Sequence, residues 1–276
     1  MSTLICPVCK NDLMEAATSY YCQLNHTFDK SRHGYVNLLL PNKKQSKEPG
    51  DNKEMTQSRA SFLSKGYYEA ISNHLNQHVK EKLNNQTDTA VIDIGCGNGY
   101  YLNRLRGDLD LSTYYGIDIS KEAIHLAAKH IKDIKWIVSS IAELPIHDQS
   151  LEGIISIFSP LNFAEFKRIL RDDGFLFVVC PSSRHLYELR EILFSDVKTI
   201  ENNRILENSD VHFTVDAHLP LNYSINLTSN EDIKHLFSMT PYYWRCTPDK
   251  RQYIMSLSHL TLTIDIGLWV FKKRCL

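Results

Sequence analysis

The 276-residue chain is punctuated by short apolar runs set between amphipathic stretches. The runs cover residues 90–95, 113–117, 135–138, 153–158 and 175–179, bounded by Gly, Asp or Ser. Runs of this length, apolar on both faces, predict strands buried inside a sheet rather than strands with one wet face. Between them, residues 120–130 and 162–170 carry helical periodicity, and Ser120 stands where an N-cap belongs. Upstream, residues 55–83 are helical in pattern with a break near Gly66, and Asp51 or Asn52 can cap their start. Strands alternating with helices predict an α/β fold, a doubly wound, Rossmann-like parallel sheet. Downstream the pattern gives a helix at 185–194, strands at 211–215 and 219–227, a helix at 231–238 capped by Asn230, and closing strands at 260–271.

Composition narrows the function. Apolar residues make up 43% of the chain, enough for a core, so a disordered chain is excluded. No apolar run approaches the roughly 18 residues of a membrane span, and the first ten residues lack the regions of a signal peptide. The expected home is the cytoplasm, with no membrane partner. A reducing compartment makes a disulfide framework a poor account of the seven cysteines. The net charge of −1 offers no overall basic excess to a nucleic acid.

The cysteines are unevenly spread: Cys6, Cys9 and Cys22 fall at the start, while Cys96, Cys180, Cys246 and Cys275 are scattered. With His26 the first three give the spacing C-x2-C-x12-C-x3-H. Two close pairs a dozen residues apart can form two knuckles around one tetrahedral ion. Thiolate and imidazole donors select zinc over calcium or magnesium. Four filled positions leave none open, which points to a structural site. The competing readings are unpaired thiols, a redox pair, or His33 in place of His26; the spacing favours His26. The sheet-forming region then follows a polar stretch, which divides the chain into a zinc-binding module with a basic linker at residues 1–48 and a second domain at 49–276. From Lys30 to Lys47 the charges are Lys30, Arg32, Lys43, Lys44 and Lys47, with no acid. The plain reading is a solvated linker; beside a zinc knuckle, the strip is also a candidate phosphate surface.

The first strand of the sheet runs into Asp93, Gly95, Gly97 and Gly99, a D-x-G-x-G-x-G sequence, with Asn98 inside it. Glycines let the backbone approach a ligand closely, and the helix that follows presents unpaired N–H groups. Asp118 ends the second strand, where a carboxylate can accept from both hydroxyls of a ribose. These features resemble class I methyltransferases, over residues 88–180. The resemblance implies S-adenosylmethionine as cofactor. Glu143 and Asp148 read as surface residues.

A closer resemblance covers Cys6 to about Trp269. Its marks are the knuckle, Phe28 and Asp29, the run from Gly34 to Leu38, the turn Pro49 to Asp51, the glycine motif, Arg184 to Leu186, Met239 to Pro241, and Trp244 with Arg245. Together these resemble the RlmA family of bacterial 23S rRNA guanine-N1 methyltransferases. The resemblance implies zinc on Cys6, Cys9, Cys22 and His26 in an RNA-recognition module. It places Tyr68, Gly97, Asn98, Asp118 and His185 around the cofactor, beside Asp93, Gly95 and Gly99 of the motif. It also implies 23S rRNA as partner, a guanine in hairpin 35 of domain II as target, and a homodimer. Taken alone, Tyr68 would be a core aromatic and His185 a helix-cap histidine. The loop from Phe158 to Asn162 faces the methyl site by topology and lacks the signature of amino-group methyltransferases, which suits a ring nitrogen. Tyr242, Tyr243 and Trp244 are either a stacking surface for the base or core packing. No residue is identified as the base that takes the guanine N1 proton. The alternatives are a small-molecule methyltransferase on the same scaffold and a binding module without turnover.

Overall fold

The computed structural model describes residues 3–43, 50–83, 89–197, 203–209 and 211–274. The N-terminal part is a three-stranded antiparallel sheet of β1 (Met14–Glu15), β2 (Ser19–Tyr21) and β3 (Thr27–Asp29). The next strand, β4 (Val36–Asn37), leaves this sheet and pairs in parallel with a strand of the large one. Two helices follow, α1 (Lys53–Ser64) and α2 (Glu69–Leu83), separated at Gly66 as the pattern predicts. Of the two caps considered for α1, Asn52 is the one used: its side chain accepts from the Met55 N–H.

The central region alternates β5 (Ala90–Ile94), α3 (Tyr100–Asp108), β6 (Thr113–Asp118), α4 (Lys121–His130), β7 (Lys135–Val138), β8 (Leu151–Ile157), α5 (Phe163–Ile169) and β9 (Leu170–Pro181). Ser120 caps α4 by accepting from the Ala123 N–H. After β9 come α6 (Tyr187–Leu193), α7 (Asn203–Ser209), β10 (Phe213–Leu227), α8 (Asn230–Ser238), α9 (Tyr242–Arg245), α10 (Pro248–Ser256) and β11 (Leu260–Lys273). The large sheet has the order β10-β11-β9-β8-β5-β6-β7-β4. Its order reverses at β5, between β6 on one side and β8 on the other, and the carboxyl ends of strands at such a point form a crevice.

Three expectations need correction. The sheet is mixed, because β11 runs antiparallel to both β9 and β10. The segments 211–215 and 219–227 are not two strands: a single strand, β10, runs from Phe213 to Leu227 with an irregularity between Val215 and Ala217, and Val211 and His212 lie in the turn before it. Pro220 is tolerated inside it because β10 is an edge strand, where a missing N–H need not break a ladder. Ser229, not Asn230, caps α8; the Asn230 amide instead donates to the carbonyls of Met255 and Leu257 and so ties α8 to the end of α10.

The N-terminal sheet is fastened to the large one by more than β4. Leu4 bridges Ile146, and the Ile5 N–H donates to the Pro145 carbonyl at 3.0 Å. Leu4, Leu13 and Tyr20 are buried in one cluster with Ile137, Leu144 and Ile146. Glu15 receives Lys30 at 2.7 Å and Lys135 at 2.9 Å. Burial works against the charge on Glu15, but the two ammonium groups outweigh it and hold the carboxyl down to about 2. Among the described residues, no helix is long and apolar enough to cross a membrane.

Candidate functional site: a metal cluster and a cofactor cavity

The ligand atoms of Cys6, Cys9, Cys22 and His26 all lie within 4.8 Å of one another. His26 Nδ1 is 3.6 Å from Cys6 Sγ and 3.4 Å from Cys22 Sγ, and Cys9 Sγ is 3.6 Å from Cys22 Sγ. A tetrahedron with Zn–S of about 2.3 Å and Zn–N of about 2.0–2.1 Å has S···S edges of about 3.8 Å and S···N edges of about 3.6 Å. The cluster therefore has the size and the donor set of a structural zinc site. Each knuckle closes on a residue with positive φ, Lys10 at 64° and Asn25 at 60°, whose N–H groups donate to the carbonyls of Cys6 and Cys22. His33 is elsewhere, its ring against His125.

The second site is a cavity of about 800 Å³ at the carboxyl ends of the strands. Its wall includes Tyr68, Asp93, Gly95, Gly97, Asn98 and Asp118 from the expected set. Gly95 and Gly97 form the turn between β5 and α3. Gly95 has φ +77°, and a Cβ there would come within 2.5 Å of the Ser159 Cβ, so the turn and the loop after β8 pack without room for a side chain. Gly99 and His185 are not on the wall. A Cβ on Gly99 would lie 2.3 Å from the Trp136 indole, so this glycine lets α3 settle on β7. His185 stands behind the wall, its ring 5.5 Å from Phe158 and 6.4 Å from Tyr68, and its Nδ1 accepts the Asp265 N–H. Burial pushes that imidazole down to about 4, so it is neutral at pH 7.

Two carboxyls sit side by side below the glycine turn. Asp118 accepts the Gly97 N–H at 2.9 Å on one oxygen and the Ser120 N–H at 2.8 Å on the other. Each oxygen keeps a lone pair for a ribose hydroxyl. Burial raises Asp118, against the pull of those two amides. Asp93 is more isolated: it is 2% exposed and its Oδ1 has no hydrogen-bond partner. Burial, and then the charge of Asp118, push it up to about 8. A buried carboxyl with an open acceptor suits a ligand that brings positive charge, and S-adenosylmethionine carries an ammonium and a sulfonium. The residues present fit that cofactor.

The sequence did not single out several wall residues. Arg59 donates to Asp51 at 2.8 Å and to the Met239 carbonyl, with Gly97 alongside. An arginine on an amphipathic helix reads as a solvated residue, so nothing local marks it. Pro7 and Lys10 of the first knuckle also line the cavity. Lys10 and Lys43 both pair with Glu143, Lys43 at 3.1 Å, so Glu143 is exposed as expected but stands at the cavity's rim. Phe158, Ser159 and Pro160 line the cavity, in keeping with the placement expected for that loop. Tyr242 and Tyr243 pack on Phe194 and Phe237, while Trp244 is 57% exposed; none of the three lines the cavity.

Comparison with known proteins bears on both sites. The family described as "RlmA, N-terminal", a zinc ribbon, matches residues 4–47, and a methyltransferase domain family matches residues 91–174. The chain is 32% identical to YxjB of Bacillus subtilis (strain 168), provisionally named a 23S rRNA (guanine-N(1)-)-methyltransferase, over 97% of this chain and 96% of that protein. It is 30% identical to the 23S rRNA (guanine(748)-N(1))-methyltransferase of Streptomyces fradiae, over 90% of this chain and 88% of that one. Among solved structures, the PH0226 protein of Pyrococcus horikoshii OT3 matches with a TM-score of 0.52 at 16% identity, over 75% of this chain and 91% of that one, a likeness of fold. With a zinc ribbon, a class I cofactor cavity and near full-length relatives of one kind, the chain belongs to the RlmA family of 23S rRNA (guanine-N1)-methyltransferases.

Proposed function

We propose that this protein transfers the methyl group of S-adenosylmethionine to N1 of a guanine in hairpin 35 of 23S rRNA, at position 745 or 748. The observation that carries the reading is that the zinc ribbon forms part of the cavity wall. Pro7 and Lys10 face the same space as Gly97 and Asp118. In this proposal residues 1–48 are the RNA-recognition module and residues 49–276 the methyltransferase, and the RNA enters where the two meet. Two copies act together.

The cofactor supplies an electrophilic sulfonium methyl. The chain's task is to hold the guanine in line with it, about 3–3.5 Å away before attack. Asp118 would hold the ribose, the turn from Gly95 to Asn98 would bring its own backbone close to the cofactor, and Asp93 would face the ammonium group. Arg59, held by Asp51, is the cation on the wall suited to the ligand's carboxylate. Phe158, with positive φ at the end of β8, and Pro160 close the side where a flipped base would lie.

The test is transfer of labelled methyl to a 23S domain II fragment, followed by primer extension, since N1 methylation blocks pairing. A stop at one guanine of hairpin 35 is expected. Methylation of a small molecule at full rate without RNA would favour the small-molecule alternative. Deleting residues 1–48 is a poor substitute test, because it would also remove β4 and the cavity residues Leu38 to Leu40.

A further inference from the structure

The basic strip expected from Lys30 to Lys47 is not one surface. Lys30 is paired with Glu15 and Lys43 with Glu143, while Lys44 and Lys47 lie outside the described residues. Arg32 behaves differently. Its Nε meets His33 Nε2 at 3.1 Å, and the His33 ring stands edge-on to His125 of α4 at 4.9 Å. One turn further along α4 is exposed Lys129, and exposed Lys132 follows the helix end. Among the described residues, Arg32, Lys129 and Lys132 make no ion pair, and Asp133 beside them turns to Arg106. His33 registers the gathering: burial first, then Arg32, His125, Lys132 and Lys129, push its imidazole down.

A lysine at the end of α4 suits the helix dipole. That does not account for Arg32 and His33, which come from a segment about 90 residues away in sequence and are brought there by the β4–β7 pairing. Gathering like charges opposes folding, and a polyanion would relieve it. The same sheet edge continues into Leu38, Leu39 and Leu40 on the cavity wall. We propose that Arg32, His33, His125, Lys129 and Lys132 form a phosphate-binding surface that carries the backbone of the substrate RNA along the β4 edge of the sheet. The inference rests on the RNA reading above. Phosphate contacts of this kind set position and register without reading sequence.

The experiment measures binding of the hairpin fragment between 50 and 200 mM KCl, and methyl transfer, for the wild type and for Arg32→Gln/Lys129→Gln/Lys132→Gln. Each side chain that no longer neutralises a phosphate should flatten the slope of log K against log salt by about 0.7–0.9, so a change of about 2–3 is expected. KM for the RNA should rise at least tenfold, with kcat at saturating RNA and affinity for the cofactor unchanged. Because Lys132 also donates to the Ala128 carbonyl at the helix end, Arg32→Gln/Lys129→Gln is a second variant, expected to show about two-thirds of the effect. Lys53→Gln/Lys80→Gln, which removes two exposed charges elsewhere, should leave the slope unchanged. An unaltered slope and KM in both patch variants, in an enzyme whose wild type methylates the fragment, would overturn the inference. A wild type that neither binds nor methylates the fragment would overturn the RNA reading itself.

Discussion

Replacing Asp93 by Asn removes a charge that the fold holds at a disadvantage. The folded carboxyl is pushed up to about 8, whereas a solvated aspartate titrates at 3.8. Between those values the folded chain keeps a proton that the unfolded chain releases. The contribution of Asp93 to stability is therefore greatest below about pH 4 and declines as pH rises, until Asp93 ionises in the folded state near pH 8. The limiting slope is about 1.4 kcal/mol per pH unit. From pH 6 to pH 8 the loss is on the order of 2 kcal/mol, or about 4–8 °C in Tm for a chain of this size. Asn keeps the shape and has no proton to lose. Any fixed penalty from burying its amide is the same at every pH. Thermal unfolding without cofactor, for both proteins at pH 6, 7 and 8, should show the variant's Tm gaining on the wild type by several degrees across the range. A Tm difference that stays constant from pH 6 to pH 8 would refute the reasoning. The same isolation predicts that cofactor binding near pH 7 releases a proton, visible as a dependence of binding heat on the buffer's ionisation enthalpy.

Other substitutions test the remaining parts of the two sites. Cys9→Ser should release zinc to a colorimetric chelator and lower Tm, while cofactor binding survives in weakened form, because Pro7 and Lys10 lose their anchor at the cavity; undiminished zinc content would contradict the four-ligand assignment. Asp118→Ala removes the acceptors facing the ribose and should raise the cofactor Kd at least tenfold by calorimetry, and an unchanged Kd would discard that role. Gly95→Ala places a Cβ 2.5 Å from Ser159 in a backbone with positive φ and should cost several kcal/mol of stability in denaturant unfolding; adding Ser159→Gly should relieve the clash but not the backbone strain. Arg59→Ala should weaken binding of S-adenosylmethionine more than that of an analogue lacking the carboxylate, and equal losses would argue against their pairing.

What could be read from sequence follows from how local each signal is. The strands β5, β6 and β7 were legible because each is buried on both faces and bounded by glycine or a polar residue, so a few consecutive positions carry the whole signal. The direction of β11 was not, because its partners Phe175 to Pro181 lie about 90 residues away and antiparallel pairing leaves no mark in its own side chains. The two residues of β4 are too few to show a period. In the cavity, Asp118 was legible from its position after a strand. Arg59 was not, since its contacts with Asp51 and the Met239 carbonyl exist only once α1 has been laid across the crevice. Charge was the least readable property. Lys30, Arg32 and Lys43 look alike in the sequence, yet two of them are neutralised by acids from other segments, and the third is gathered with further cations.

The placement of β4 has a consequence for the cell's metal economy. Val36 and Asn37 occupy part of the outer edge of β7, and the Leu38 N–H reaches the Val138 carbonyl just beyond them. Strand edges left bare are templates for pairing with other chains. A molecule that fails to load zinc, or is stripped of it, loosens the knuckles that precede β4 and uncovers the edge they help to hold. Zinc shortage would then show itself first as self-association of newly made protein, before any fall in the turnover of molecules already folded.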